Sequence, residues 1–225
     1  MALNDFIAES PENFEQKCLC VLVLDTSGSM VGEPIQELNK GIEQFYFQVM
    51  KDETAAERLE VCLITFESKV KCIQEPALLR NFKMPTLEAQ GSTQLVNGVK
   101  EAILKVQNRK NWYRKTGQPY YRPFIFLITD GEPDADQNLE ELMFEVNEGV
   151  NERKFLFFPI GVQEANMEKL KSIAHPSAPP MRLRGLKFVE FFQWLSNSVG
   201  IITKSKADDL IHLPDTTAWG QIAFD

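Results

Sequence analysis

The feature that most constrains this chain is the run Leu19-Cys20-Val21-Leu22-Val23-Leu24, which reaches Asp25 without a polar residue. Such a run is too short for a buried helix. Its continuous apolar character, in place of an alternating one, predicts a strand covered on both faces. Asp25 falls where that strand ends, and Thr26-Ser27-Gly28-Ser29-Met30 follow. A carboxylate and two hydroxyls at positions i, i+2 and i+4 can face inward from one curled loop, and Gly28 leaves out the Cβ that would crowd the curl. Hard oxygen donors of this kind suit Mg²⁺, Mn²⁺ or Ca²⁺, and no Cys or His lies close downstream to suggest Zn²⁺. The same residues also read as a plain Ser-Gly turn, with Asp25 capping the next helix.

A second continuous apolar run, residues 124–129, ends in Asp130 and is followed by Gly131-Glu132-Pro133-Asp134. The other elements fall between and after these two. Ile35, Leu38, Ile42, Phe45 and Val49 recur at helical spacing, with Pro34 suited to the first turn and the helix fading in the charged stretch 51–58. Residues 59–66 predict a second strand. Glu67-Ser68-Lys69 link it to a third over 70–73, a connection short enough only for an antiparallel hairpin. Residues 76–85 are expected to be irregular. Leu95, Val99, Ile103 and Val106 mark a helix that runs through a basic aromatic stretch to Gly117. Further helices are predicted at 138–153 and 167–174, and strands at 155–161 and 181–183. A last helix carries Phe188, Phe191, Phe192, Leu195, Val199 and Ile202 on one face. Strands alternating with helices imply an α/β fold: a doubly wound, Rossmann-like, mainly parallel six-stranded sheet with one antiparallel edge strand and helices on both faces.

At 225 residues the chain fits one large domain over 17–203. A polar leader over 1–16 precedes it. A tail over 204–225, with Leu213, Trp219 and Phe224 as apolar anchors, is laid over the surface or left for a partner. The formal net charge of −8 offers no basic excess for phosphate, so neither nucleic acid nor an anionic membrane is an expected partner. No run is long enough to span a bilayer and the start lacks a secretory pattern, so the expected location is cytoplasmic. Cys18, Cys20, Cys62 and Cys72 are then expected as reduced thiols, since a Cys-x-Cys metal site needs two more soft ligands and Cys62 with Cys72 is not a zinc spacing.

In a doubly wound sheet, ligands bind at the carboxyl ends of the strands where strand order reverses. Asp25 and Asp130 both arrive there, and two adjacent carboxylates need a cation or a shared proton. Gly91-Ser92-Thr93 precedes the third helix and enters the same crevice, although Ser92 and Thr93 also read as simple N-caps. Asp25, Ser27, Ser29, Thr93 and Asp130 then supply five oxygens to a six-coordinate shell one ligand short. Mg²⁺ holds such ligands at about 2.1 Å.

The motifs "DTSGSM", "GST" and "TDGEPD", in this order and in these structural slots, resemble the metal-ion-dependent adhesion site of von Willebrand factor type A domains. "KCLCVLVLDTSGSM", "GEPIQELNKGIEQF", "RLEVCLITF" and "YYRPFIFLITDGEPD" look most like the stand-alone bacterial TerY-like group, which accompanies tellurium-resistance and kinase/phosphatase gene sets. The resemblance spans roughly residues 17–203. It implies that Ser27, Ser29 and Thr93 bind the metal directly, with Asp25 and Asp130 bound directly or through water. It further implies that an Asp or Glu of a protein partner, such as a kinase or phosphatase, completes the shell, and that the domain is no enzyme. In related adhesion domains the last helix shifts with the state of the metal site. A monomer is expected when the chain is alone.

The competing class is a haloacid-dehalogenase-type phosphotransferase with Asp25 as nucleophile, but such enzymes place a second Asp two residues later and this chain has Ser27. A serine nucleophile needs a base, and His175 and His212 read as surface histidines. Trp112, Tyr113, Tyr120, Tyr121 and Arg122 read as loop packing ahead of a partner-binding edge. Glu132, Asp134 and Asp136 are expected to be solvated.

Overall fold

The computed structural model of the chain describes residues 11–130, 132–205 and 214–222. Its centre is β1 (Cys18–Asp25), every residue of which is buried. β1 pairs in parallel with β2 (Leu59–Phe66) on one side and with β4 (Phe124–Thr129) on the other. β5 (Leu156–Gly161) and β6 (Met181–Leu183) continue the parallel array beyond β4. β3 (Val70–Leu78) closes the opposite edge antiparallel to β2. The doubly wound sheet expected from the sequence is therefore present, and all six expected strands lie in it.

Alternation along β1 divides the core into two layers, because successive strand residues face opposite sides. Cys18, Cys20, Leu22 and Leu24 pack with α1 (Glu33–Val49) and α6 (Phe188–Lys204). Leu19, Val21 and Val23 pack with α3 (Leu95–Thr116), α4 (Leu139–Asn151) and α5 (Met167–Ile173). The cysteines divide the same way, Cys18 and Cys20 in the first layer and Cys62 and Cys72 at the second, and all four are free thiols. The aromatic face of α6 is core, as expected: Phe188, Phe191 and Phe192 are fully buried.

Three departures from the sequence reading have simple causes. The charged stretch after α1 is not a fading helix end. Asp52 caps a separate helix, α2 (Glu53–Arg58), by accepting from the amides of Thr54 and Ala55. β3 runs on past Ile73 and through Pro76, which a sheet edge tolerates because one side of an edge strand lacks a pairing partner. Two register irregularities against β2 accompany that extension.

The third departure is a seventh strand, β7 (Gly220–Ile222), antiparallel to β6, so the sheet has an antiparallel strand at both edges. It is anchored by Trp219, whose fully buried ring lies 4.9 Å from Phe191 and 5.1 Å from Trp194. The Trp194 Nε1–H donates to the Pro214 carbonyl at 2.8 Å. The described part of the tail is thus a piece of the fold. Leu213, Phe224 and His212 lie outside the described residues.

The aromatic cluster near the end of α3 is packing, as read. Tyr113 is buried, stacks on Tyr120 with centroids 4.9 Å apart, and donates its hydroxyl to Glu60 Oε2 at 2.6 Å. Arg122 donates to the carbonyls of Phe155 and Val150. Among the described residues, no helix is long and apolar enough to cross a membrane.

Candidate metal centre

Strand order reverses at β1, which sits between β2 and β4, so the crevice opens at the carboxyl ends of β1 and β4. Asp25 closes β1 and is fully buried. Its Oδ1 accepts from the Ser27 amide at 2.8 Å, and its Oδ2 accepts from the Thr129 hydroxyl at the end of β4. This Asx-type turn curls the loop in place of a helix cap, since α1 is preceded by Gly32 and not by Asp25. The curl brings Ser27 Oγ to 3.0 Å from Ser29 Oγ, and Ser29 Oγ donates to Asp130 Oδ1 at 2.7 Å. Asp25, Ser27, Ser29 and Asp130 therefore form one connected group. Asp25 and Ser27 line its buried floor, Ser29 is exposed, and Asp130 is half-buried.

Thr93 is brought to this group by backbone. The Gly28 amide donates to the Gly91 carbonyl at 3.0 Å, and the Gln90 amide to the Thr26 carbonyl at 2.8 Å. A Cβ on Gly28 would stand 3.2 Å from that Gly91 carbonyl, so the close approach of the two loops depends on glycine there. Gly91 itself has φ +76°, and a Cβ on it would lie 2.4 Å from Ser68 Oγ. Thr93 is buried, and its hydroxyl takes no part in the bonds joining the other four among the described residues. Neither Ser92 nor Thr93 caps α3. The N-cap is Gln94, and the Val96 amide is satisfied by Gln137 Oε1 at 2.6 Å.

The expectation that Asp134 is merely solvated is overturned. Its carboxylate accepts from the Thr93 amide at 3.1 Å and from Gln94 Nε2 at 3.0 Å, while its own amide donates to the Thr93 carbonyl at 3.1 Å. Against its burial, the Ser92 side chain, the Thr93 amide and Gln94 hold its carboxyl below the usual range. Gln137 Nε2 adds a bond to the same carbonyl at 2.6 Å. Asp134 and Gln137 thus clamp the Thr93 loop to the loop after β4. Motif reading passed over them because their partners, mostly main-chain groups, lie 40 residues or more away. Thr129, the residue before Asp130, was missed as ordinary strand sequence. Glu132 is tied to Lys169 at 2.8 Å and Asn166 at 2.6 Å on the rim. His175 bonds Ser177 and Asn151 at the surface.

The electrostatics of the group are one-sided. Burial pushes the Asp25 carboxyl up to about 6, against the downward pull of bonds from Ser27 and Thr129, and the Asp130 charge adds to the rise. Asp130 is also raised, chiefly by burial, with the bond from Ser29 opposing. Two raised carboxylates bridged only by neutral hydroxyls make a place where a cation lowers the energy. The donor chemistry fits one. Adjacent ligands of an octahedral ion at about 2.1 Å stand about 3.0 Å apart, which is the Ser27–Ser29 separation. Among the described residues there is no group of three or more His, Cys, Asp or Glu placed to hold a metal.

The fold is a doubly wound α/β domain with oxygen-rich loops after β1, before α3 and after β4 meeting at its switch point. Residues 20–185 match the von Willebrand factor type A domain, and the chain belongs to that family. Solved structures of the same fold include three at low identity. The vWF domain of the type V pili tip protein Mfa5 from Porphyromonas gingivalis has a TM-score of 0.60 at 11% identity, over 88% of this chain and 99% of that one. The pilus adhesin SpaC from Lactobacillus rhamnosus GG, in an open conformation, has 0.65 at 13% identity, over 86% of this chain and 31% of that one. Proximal thread matrix protein 1 from the mussel byssus has 0.59 at 14% identity, over 82% and 46%. The chain therefore spans less than half the length of the last two. The curated proteins include no match.

Proposed function

We propose that this chain is a divalent-cation-dependent protein-binding domain that performs no catalysis. Ser27, Ser29 and Thr93 bind the ion directly, and Asp25 and Asp130 bind it directly or through water. Mg²⁺ is the physiological ion, with Mn²⁺ or Ca²⁺ able to replace it. The observation that carries this reading is the Ser27–Ser29–Asp130 chain of oxygens, at 3.0 and 2.7 Å, above a buried Asp25 that no basic side chain contacts among the described residues. When bound, the ion supplies a Lewis-acidic position for an oxygen ligand from outside the chain. Because three of the five donors are neutral, the site keeps much of the ion's charge for that ligand. An Asp or Glu of a protein partner fits the remaining position.

The chain's own residues set the geometry. Thr129 and the Ser27 amide hold the Asp25 carboxylate, Asp134 holds the Thr93 loop, and the Gly28–Gly91 contact holds the first two loops together. A phosphotransferase reading has less behind it, since the position two residues after Asp25 carries the Ser27 hydroxyl, bonded to Ser29. The four free thiols fit a cytoplasmic location. The bacterial TerY-like resemblance makes a kinase or phosphatase of a stress- or metal-resistance complex the first partner to test.

The test is a pull-down from cell extract in Mg²⁺ and in EDTA, with wild type and Asp25→Ala. Partners retained only by wild type in Mg²⁺ are expected. Equal retention in EDTA, or by Asp25→Ala, contradicts the reading.

A further inference from the structure

On the α3 side of the sheet, away from the metal centre's oxygens, two thiols face each other across the β2–β3 edge. Cys62 Sγ and Cys72 Sγ are 3.9 Å apart, a long S–H···S hydrogen bond, and are not joined by a disulfide. The register irregularities between β2 and β3 fall on either side of Leu63, next to Cys62, and Cys72 pairs with Ile64. Irregularities of this kind bend and twist an edge strand, and here they accompany the diagonal approach of Cys72 to Cys62. The two thiols differ in access. Cys62 is fully buried, whereas Cys72 is partly exposed and lines an open groove with Val70, Asn97, Lys100, Glu101 and Leu104. The other two thiols, Cys18 and Cys20, are buried in the opposite layer and have no route to this pair.

We propose that Cys62 and Cys72 are a reversible oxidation site, at which a peroxide converts the pair to a disulfide across the β2–β3 hairpin. The Cys72 thiolate attacks one oxygen of hydrogen peroxide, cleaving the O–O bond. It becomes a sulfenic acid as the other oxygen leaves as hydroxide and takes up a proton to form water. The Cys62 sulfur then attacks the sulfenic sulfur, the S–S bond forms, and the second oxygen leaves as water after taking the Cys62 proton. Two thiols and one peroxide give one disulfide and two waters. A disulfide needs the sulfurs at about 2.05 Å, so the step asks for a closure of the 3.9 Å contact at a sheet edge.

The assignment of Cys72 as the attacking group rests on its access to the groove. The bond from Cys62 favours its thiolate, as does the Lys105 ammonium, while burial and Glu75 oppose. The same bond and burial push Cys62 the other way, so Cys72 and not Cys62 is the thiol that meets peroxide first. The bridge encloses residues 63–71. That ring includes Glu67, whose carbonyl accepts from the Gln94 amide, and Ser68, whose hydroxyl accepts from the Ser92 amide at 3.0 Å.

The experiment treats the folded, reduced full chain with hydrogen peroxide, then blocks remaining thiols with N-ethylmaleimide in denaturant and maps tryptic peptides by mass. Cleavage separates Cys62 (peptide 59–69), Cys72 (72–80) and the Cys18–Cys20 peptide (18–40). The expected product is the 59–69/72–80 cross-link, reversed by dithiothreitol, with Cys18 and Cys20 still alkylated. Cys72→Ser should lose the cross-link and leave Cys62 alkylated. In Cys62→Ala, Cys72 should stop at a sulfenic acid that dimedone traps. Oxidation of Cys72 to sulfinic acid without the cross-link in wild type overturns the proposal. So does a cross-link through Cys18 or Cys20, or a Cys62–Cys72 link that forms only after unfolding in urea.

Discussion

Among the described residues, Glu60 and Asp25 are the two carboxylates with almost no exposure, at opposite ends of the sheet, and they are treated differently. Glu60, near the amino end of β2, receives two bonds from Arg109 at 2.6 and 2.7 Å and one from the Tyr113 hydroxyl at 2.6 Å. Its counter-charge is part of the chain, and that guanidinium also stacks over Trp112 at 4.0 Å. Asp25, at the carboxyl end of β1, is met by neutral donors of Ser27 and Thr129 and has Asp130 as a charged neighbour. A carboxylate kept for structure comes with its cation. Asp25 has none from the described residues, and the fold instead surrounds it with hydroxyls and glycine-dependent loop contacts. The difference between the two sites is the physical argument for an external cation at the second.

That comparison is open to being broken, most severely at Glu60. Arg109→Ala strands a buried carboxylate and should cost about 3–5 kcal/mol in urea unfolding. A loss below about 1 kcal/mol would mean that the Glu60 pair is not structural in this sense.

At the other end the sign reverses. Asp25→Asn keeps an acceptor for the Ser27 amide and removes the unpaired charge. In EDTA at pH 7 the variant should be more stable than wild type by about 2–3 kcal/mol, from a carboxyl shifted from 3.8 to about 6. A variant less stable than wild type in EDTA would place Asp25 with Glu60. The same shift fixes a pH dependence. The folded chain binds the Asp25 proton more tightly than the unfolded chain does. This contribution to stability is therefore full below pH 3.8 and is lost as pH rises through about 6. Urea midpoints of the metal-free wild type against Asp25→Asn across pH 4 to 7 should converge at the low end and separate at the high end. Curves that run parallel would remove the electrostatic part of the comparison.

The smallest effect belongs to the support of the site. Asp134→Ala removes the acceptor for the Thr93 amide and should cost about 1 kcal/mol of stability, since the group is partly solvated. It should also weaken Mg²⁺ binding several-fold in calorimetry. An unchanged affinity would show that the Thr93 loop needs no clamp.

How much of this was legible in the sequence follows from the range of each interaction. β1 and β4 are continuous apolar runs ending in Asp, and a strand buried on both faces leaves that mark in any sequence. The positions of Asp25 and Asp130 at one crevice follow from sheet topology alone, and the Asp25–Ser27–Ser29 curl is local to one loop. Three kinds of feature left no such mark. Asp52 starts α2 through two amide bonds inside a stretch whose charges read only as surface. Pro76 sits in β3, where only the edge position makes proline tolerable. Trp219 reads as an apolar anchor, but β7 depends on its contact with Phe191 and Trp194, which the tail's own sequence does not name. Asp134 belongs with these, since its task is to hold the main chain of Thr93, 41 residues away.

The central claim is that the chain leaves a cation-shaped deficit at Asp25, and Mg²⁺ titration of folding stability tests it most directly. Wild type, stripped with EDTA and unfolded by urea at pH 7.5, should gain stability with the logarithm of free Mg²⁺, reaching about 2.7 kcal/mol at a hundredfold excess over Kd. Asp25→Asn should gain nothing over the same range, while Arg109→Ala should gain as much as wild type. A wild-type stability that does not move with Mg²⁺ or Mn²⁺, or an equal gain in Asp25→Asn, would contradict the account.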